Sequence, residues 1–334
     1  MTASLPTTPL SLVTRWQPRL LLAAALLFGS EVLAWTNPAG RTVVEWALLV
    51  PGYVAVSALL LDWLVRYRLR DIFGLLVLTG IYSLLWAVVL NPESALEDVP
   101  RTLFTRVMGA QALIAAEMMG LFLILSGGGW VRRLVTGAVI VGLAWGIWVR
   151  GWPVEAGYAA VPLETMLVYG AVGVGLLALV VYGLRRGDGQ AGMAIETLRL
   201  TPMGWLAVAL TLGISGGGRW LSGTVDGTGA ILCGLLAALC WAILWFRGRK
   251  KGNTLLDGRL PVRGLPVGQA VGAVLIFGAA AIVGYQVPMV AIGGLQPHRL
   301  IGLGFTAYGL AWLPTVSLIL GVQGYLRQLA ARKL

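Results

Sequence analysis

Apolar stretches of about twenty residues, the length that carries an α-helix across hydrocarbon, alternate with short polar breaks from Pro18 to Tyr325. The pattern predicts an all-α, polytopic transmembrane bundle of ten spans. The first five fall at Pro18–Trp35, Thr42–Val65, Ile72–Leu90, Leu103–Ser126 and Leu134–Val149. The others fall at Thr165–Leu184, Met203–Ser215, Gly229–Phe246, Val267–Gln286 and Leu300–Tyr325. Together they form a single membrane domain, 1–334, with candidate halves at 1–150 and 164–327. Halves with an odd number of spans would be inverted relative to each other, as in many transporters. No residue-level repeat accompanies this count. The nearest echo, Ser126–Trp130 against Ser215–Trp220, follows the fourth and seventh spans, and both Gly-rich tracts are read as interfacial turns.

Charge gives the bundle an orientation. Threaded alternately, the spans put most of the 25 Lys and Arg on the side where the chain starts. These include Arg15, Arg19, Arg66, Arg68, Arg70, Arg132, Arg133, Arg185, Arg186 and Arg199, the cluster from Arg247 to Arg263, and Arg327, Arg332 and Lys333. Arg41, Arg101, Arg150, Arg219 and Arg299 fall on the other side, with Arg106 inside a span. The positive-inside rule then places both termini in the cytoplasm and the acidic segment Asn91–Pro100 outside. Arg15 and Arg19 precede an apolar run that ends in a cleavage-like Val32–Ala34, but Glu31 interrupts that site and favours an uncleaved first span.

Composition narrows the function classes. With 58% hydrophobic and 12% charged residues the chain lies far from soluble domains, which are about a quarter charged. A net charge of +11 would suggest nucleic acid in a soluble protein. Here the basic loops face anionic lipid headgroups, each charge contributing about 1 kcal/mol near the surface, and no nucleic-acid role is expected. His298 is the single histidine, and Cys233 and Cys240 lie roughly 10 Å apart along one predicted helix, too far for a disulfide. No metal site and no cofactor are expected.

Charges inside spans cost about 2.5–3.5 kcal/mol each and are the first functional candidates. Asp62 is answered by Arg66 one turn on. Glu31 and Glu45 flank the turn Asn37–Gly40 at similar depth, and Arg106 enters at comparable depth on the fourth span. Eleven residues later Glu117 returns to within about 20° of the same α-helical face, so Arg106, Ala110, Leu113 and Glu117 form a polar stripe expected to face protein or water. The expectation is that Arg106 pairs with at least one of Glu31, Glu45 and Glu117, as a helix clamp or as a substrate or proton site. Pro51-Gly52 invites a kink or break in the second span.

Gly213-Ile-Ser215-Gly-Gly217 formally matches G-x-S-x-G and the shorter G-x-S-G of rhomboid-type intramembrane proteases, with His298 on the same external side. The likeness covers only those residues; Ser215 is read as part of a turn and His298 as an interfacial loop residue. The block Glu31–Leu84, with Pro51-Gly52-Tyr53, Asp62, Arg66-Tyr-Arg68 and Gly80-Ile-Tyr82, resembles uncharacterised multispanning bacterial membrane proteins. That resemblance implies a bacterial inner membrane and no particular activity. The favoured function is transport of a small-molecule or lipid-related substrate, proton-coupled through the intramembrane carboxylates. A subunit of a membrane complex is the alternative, and an intramembrane enzyme acting on lipid or peptide stands last.

Overall fold

The structure, a computed structural model, describes residues 12–129, 131–184, 193–221, 227–247, 253–291, 293–316 and 321–332. Trp130, Arg185, Arg186, Arg249, Lys250, Lys251 and Lys333 lie outside the described residues. The described residues are mainly helical, with no strand among them. Among the described residues, seven helices are long and apolar enough to cross a membrane.

The chain enters through α1 (Leu12–Leu27), which continues as a π-helix over Phe28–Leu33, turns at Pro38–Gly40 and descends as α2 (Val43–Arg66). Thr42 and Glu45 form a reciprocal capping box that fixes where α2 begins. The helix runs unbroken through Pro51-Gly52, so the expected break is absent; the Gly52 surface lies against Leu90 and Ser215. α3 (Ile72–Leu85) starts at an Asp71 cap and ends in a π-helix over Trp86–Leu90. A short α4 (Pro92–Ala95) precedes a third π-helical stretch, Leu103–Gln111, which leads into α5 (Ala112–Gly127). Gly128, at φ +67°, closes α5, as expected of a glycine-rich turn.

α6 (Val131–Glu155) and α7 (Leu163–Ala178, then π-helical to Gly183) follow. Next come α8 (Pro202–Leu221), α9 (Gly227–Arg247), α10 (Val267–Gln286), α11 (Pro297–Pro314) and α12 (Gly321–Arg332). One expectation is corrected. Ser215–Gly218 is not a turn but lies inside α8, where Ser215 packs on Gly52 and Gly216 on Val89, contacts that hold an otherwise weak glycine-rich helix. The apolar run Leu300–Tyr325 contains most of α11 and the start of α12, and residues 317–320 between them lie outside the described residues.

The core belongs to α1, α2, α3 and α5, whose Leu21, Leu61, Tyr53, Leu78, Tyr82 and Phe122 are all but sealed from solvent. Helices from the two ends of the sequence interlock where small residues let backbones touch. A side chain on Gly146 of α6 would strike Ala281 O of α10, and one on Gly284 would strike Leu143 O. Gly109 and Gly309 serve α11 and the π-helical stretch beside α5 in the same way. At the opposite end from the first hairpin, Asp62 binds Arg66 through both oxygens and accepts from Leu200 N at 2.7 Å. The expected Asp62–Arg66 pair therefore forms, and it also ties α2 to the segment entering α8.

Candidate functional site

Three π-helical stretches, 28–33, 86–90 and 103–111, meet at the end of the bundle where the first hairpin turns. A π-turn takes one residue more than an α-turn, reaching five residues back, as in Ala34 N to Gly29 O at 2.9 Å and Asn91 N to Trp86 O at 2.9 Å. Such segments are rare and concentrate at functional sites. The turn joining α1 to α2 is also strained, with Trp35 at φ 52° and Asn37 at φ 55°, a region that an aromatic side chain seldom occupies. Indole N–H groups of α6 hold it in place: Trp145 donates to Val32 O at 2.9 Å and Trp148 to Ala34 O at 2.8 Å, satisfying carbonyls at the helix end.

Behind this turn lies Glu31, fully buried. One carboxylate oxygen accepts from Tyr53 Oη at 2.6 Å and Asn91 Nδ2 at 2.8 Å. The other accepts from Thr36 Oγ1 at 2.5 Å and Arg41 Nη2 at 2.9 Å. Four donors saturate what a carboxylate can accept, so the group joins α1, α2 and the end of α3 as a clamp. Arg41 Nη2 also donates to Asn91 Oδ1 at 2.6 Å.

In front of this clamp opens a cavity of about 440 Å³. Arg41, Glu45, Glu93, Glu97, Arg106 and Gln111 supply its charged and polar walls, and Trp35, Trp86, Trp148, Trp152 and Tyr158 its aromatic ones. Trp148 and Trp152 stack at 4.9 Å, and the Arg106 guanidinium lies over Trp152 at 5.5 Å. Three atoms on lining residues, Arg41 Nε, Trp86 Nε1 and Gln111 Oε1, are buried without a hydrogen-bond partner, a state that costs about 1–3 kcal/mol per group.

Of the four candidates named from the sequence, Glu45 and Arg106 line this cavity and Glu31 stands behind it through Arg41. The expected pairing of Arg106 is corrected: it donates to Ser94 O at 2.6 Å and to Glu97 at 3.1 Å, not to Glu31, Glu45 or Glu117. Glu45 is exposed in the capping box, and Arg41 takes the role expected of Arg106. The polar stripe is corrected too. The π-helical stretch takes extra residues per turn, so the angular register of α5 lags the α-helical expectation and Glu117 does not join Arg106 at the cavity. Glu117 is exposed on α5, with no hydrogen bond or ion pair among the described residues.

The hydrolase constellation does not assemble. His298 is not in a loop but in the first turn of α11, buried against Gly151 and bonded through Nε2 to Glu155 at 2.6 Å, while Ser215 packs on α2. Arg299 adds a second contact to Glu155 at 3.2 Å. Among the described residues no group of three or more His, Cys, Asp or Glu side chains could hold a metal ion.

Arg41, Asn91, Gln111 and the tryptophans of α6 escaped the sequence reading. Two signals pointed to them: the Thr42-x-x-Glu45 box, which places Arg41 at the helix entrance, and the spacing of Trp145, Trp148 and Trp152, which puts three indoles on one face. Compared with protein-family models, curated proteins and solved structures, the chain matches none.

Proposed function

We propose that this chain is a transporter-like protein of the bacterial inner membrane that binds a small molecule in the cavity between its helix ends. The observation that carries this reading is the convergence of Arg41, Arg106, Glu45, Glu93 and Glu97 on one aromatic-walled cavity. A concave site in which aromatic walls accompany a set of placed polar and charged groups can orient a small molecule. Ten spans with both termini in the cytoplasm would open the cavity outward, because the loops near Asn37, Asn91 and Tyr158 all fall on the sparsely basic side.

The reading is tested by thiol labelling of Ala110→Cys in intact cells with a membrane-impermeant maleimide; Cys233 and Cys240 are buried and give little background. Labelling from outside, with a cysteine in the 253–266 loop labelled only after permeabilisation, is the expected result. Labelling of Ala110→Cys from the cytoplasmic side alone would overturn the orientation. No labelling from either side would remove the cavity as a solute site.

A second reading, a subunit of a larger membrane complex, is favoured by Glu117. A carboxylate on the outward face of an apolar helix is costly against lipid and inexpensive against a partner that offers a donor. Site-specific photo-crosslinking from position 117 distinguishes a protein neighbour from lipid.

A further inference from the structure

The cavity holds more information about its ligand than its size. Both guanidiniums in its wall already have internal carboxylate partners, Arg41 in Glu31 and Arg106 in Glu97. Glu45 and Glu93 also line the cavity, so carboxylates outnumber guanidiniums in its wall. A purely anionic ligand would therefore enter against a net negative wall. Yet each arginine retains N–H groups that bond to nothing described: Arg41 engages only Nη2, and Arg106 only Nη1. Those groups give the wall donors for an oxyanion.

The same wall suits a cation. Indole faces attract ammonium groups, most strongly when water is excluded, and the stacked Trp148–Trp152 pair adjoins the cavity. Glu93 is exposed in the first turn of α4, with no ion pair among the described residues, and it can complement a positive charge near the rim.

We propose that the cavity takes a compact zwitterion, its oxyanion held by the spare N–H groups of Arg41 and Arg106, and its ammonium by Glu93 and the indole faces. This assignment rests on the cavity being the ligand site. Such a zwitterion has two sources, the headgroup of a zwitterionic phospholipid or a free solute with the same two charges.

The test uses the full chain in a maltoside detergent, with binding followed by intrinsic tryptophan fluorescence. Three probes are titrated: glycerophosphoethanolamine, which carries both charges, and its separate parts, glycerol 3-phosphate and ethanolamine. The zwitterion should bind at least about tenfold more tightly than either part, and Glu93→Gln should weaken it about tenfold, the scale of one lost charge contact. Glu93 lies at the surface outside the Glu31 clamp, so this variant retains the fold. Equal binding of glycerol 3-phosphate or ethanolamine alone overturns the zwitterion and leaves the cavity a ligand site. Failure of all three probes on a protein whose Ala110→Cys variant labels from outside overturns the zwitterion only; failure of both experiments overturns the cavity reading as well. In nanodiscs, loss of probe binding in phosphatidylethanolamine but not phosphatidylglycerol identifies a lipid headgroup as the source. Equal binding in both identifies a free solute.

Discussion

The helices around the first hairpin and those at the far end of the chain are equally apolar but differently used. In α2, 72% of the most apolar segment is buried within the protein, and in α10 only 22% is. The first group uses its neighbours as solvent and can therefore hold buried polar groups, Glu31, Ser30, Asn91 and Asp62 among them. The second offers Leu235, Leu275, Val283 and their like to the surroundings and holds its place through glycine contacts. Hydropathy alone does not separate the two kinds of helix, whereas the location of satisfied polar side chains does.

Mutations should divide along the same line. The largest effect is expected at Glu31, because Glu31→Ala strands Arg41 and three other donors; about 3–5 kcal/mol of stability should be lost, read as a fall in thermal midpoint in detergent. The double variant Glu31→Gln, Arg41→Gln should recover part of that loss. If the single variant melted like the parent, the clamp would not be what joins the first hairpin to α3.

Next comes the core itself. Leu61→Ala should cost about 2–5 kcal/mol and Leu275→Ala no more than about 0.5, since the first side chain is wholly enclosed and the second is two-thirds exposed. Equal shifts for the two would erase the distinction between the regions. Gly146→Ala should cost about 1–3 kcal/mol by forcing α6 off α10, measured by the same melts and by increased protease access to the loop between α10 and α11. The smallest effect is expected for Arg106→Gln. Its ion pair with Glu97 is partly exposed, so stability should change by about 1 kcal/mol or less while ligand binding falls.

The bundle was legible wherever an apolar run ended against a strong local signal. The Ile72–Leu90 span begins at the Asp71 cap, whose carboxylate accepts from Gly74 N, and Val267–Gln286 is bounded by Pro266 and by the segment before Pro288. The Asp62–Arg66 pair was legible because its geometry is set within one helical turn. The Glu31 partner was not. Arg41 reads as one more solvated charge until the hairpin folds it over Glu31, and its contact to Asn91 joins residues fifty apart in sequence. Arg106 and Glu117 were assigned to one face by α-helical arithmetic that the π-helical stretch does not obey. Ser215 was read as a turn because composition records its glycines but not Gly52 and Val89, which support them.

The widened turns at 103–111 also make the length of this segment informative in a way its composition is not. Deleting one residue there would leave two acceptable helices, one on each side, and every hydrophobic position would remain hydrophobic. The rotation between the flanks would nevertheless change by about 100°, the angle one α-helical residue subtends. Either Arg106 would leave the cavity or Gly109 would lose its seat against α11. In genetic terms, a single in-frame codon deletion in this stretch is silent to hydropathy and disabling to the site.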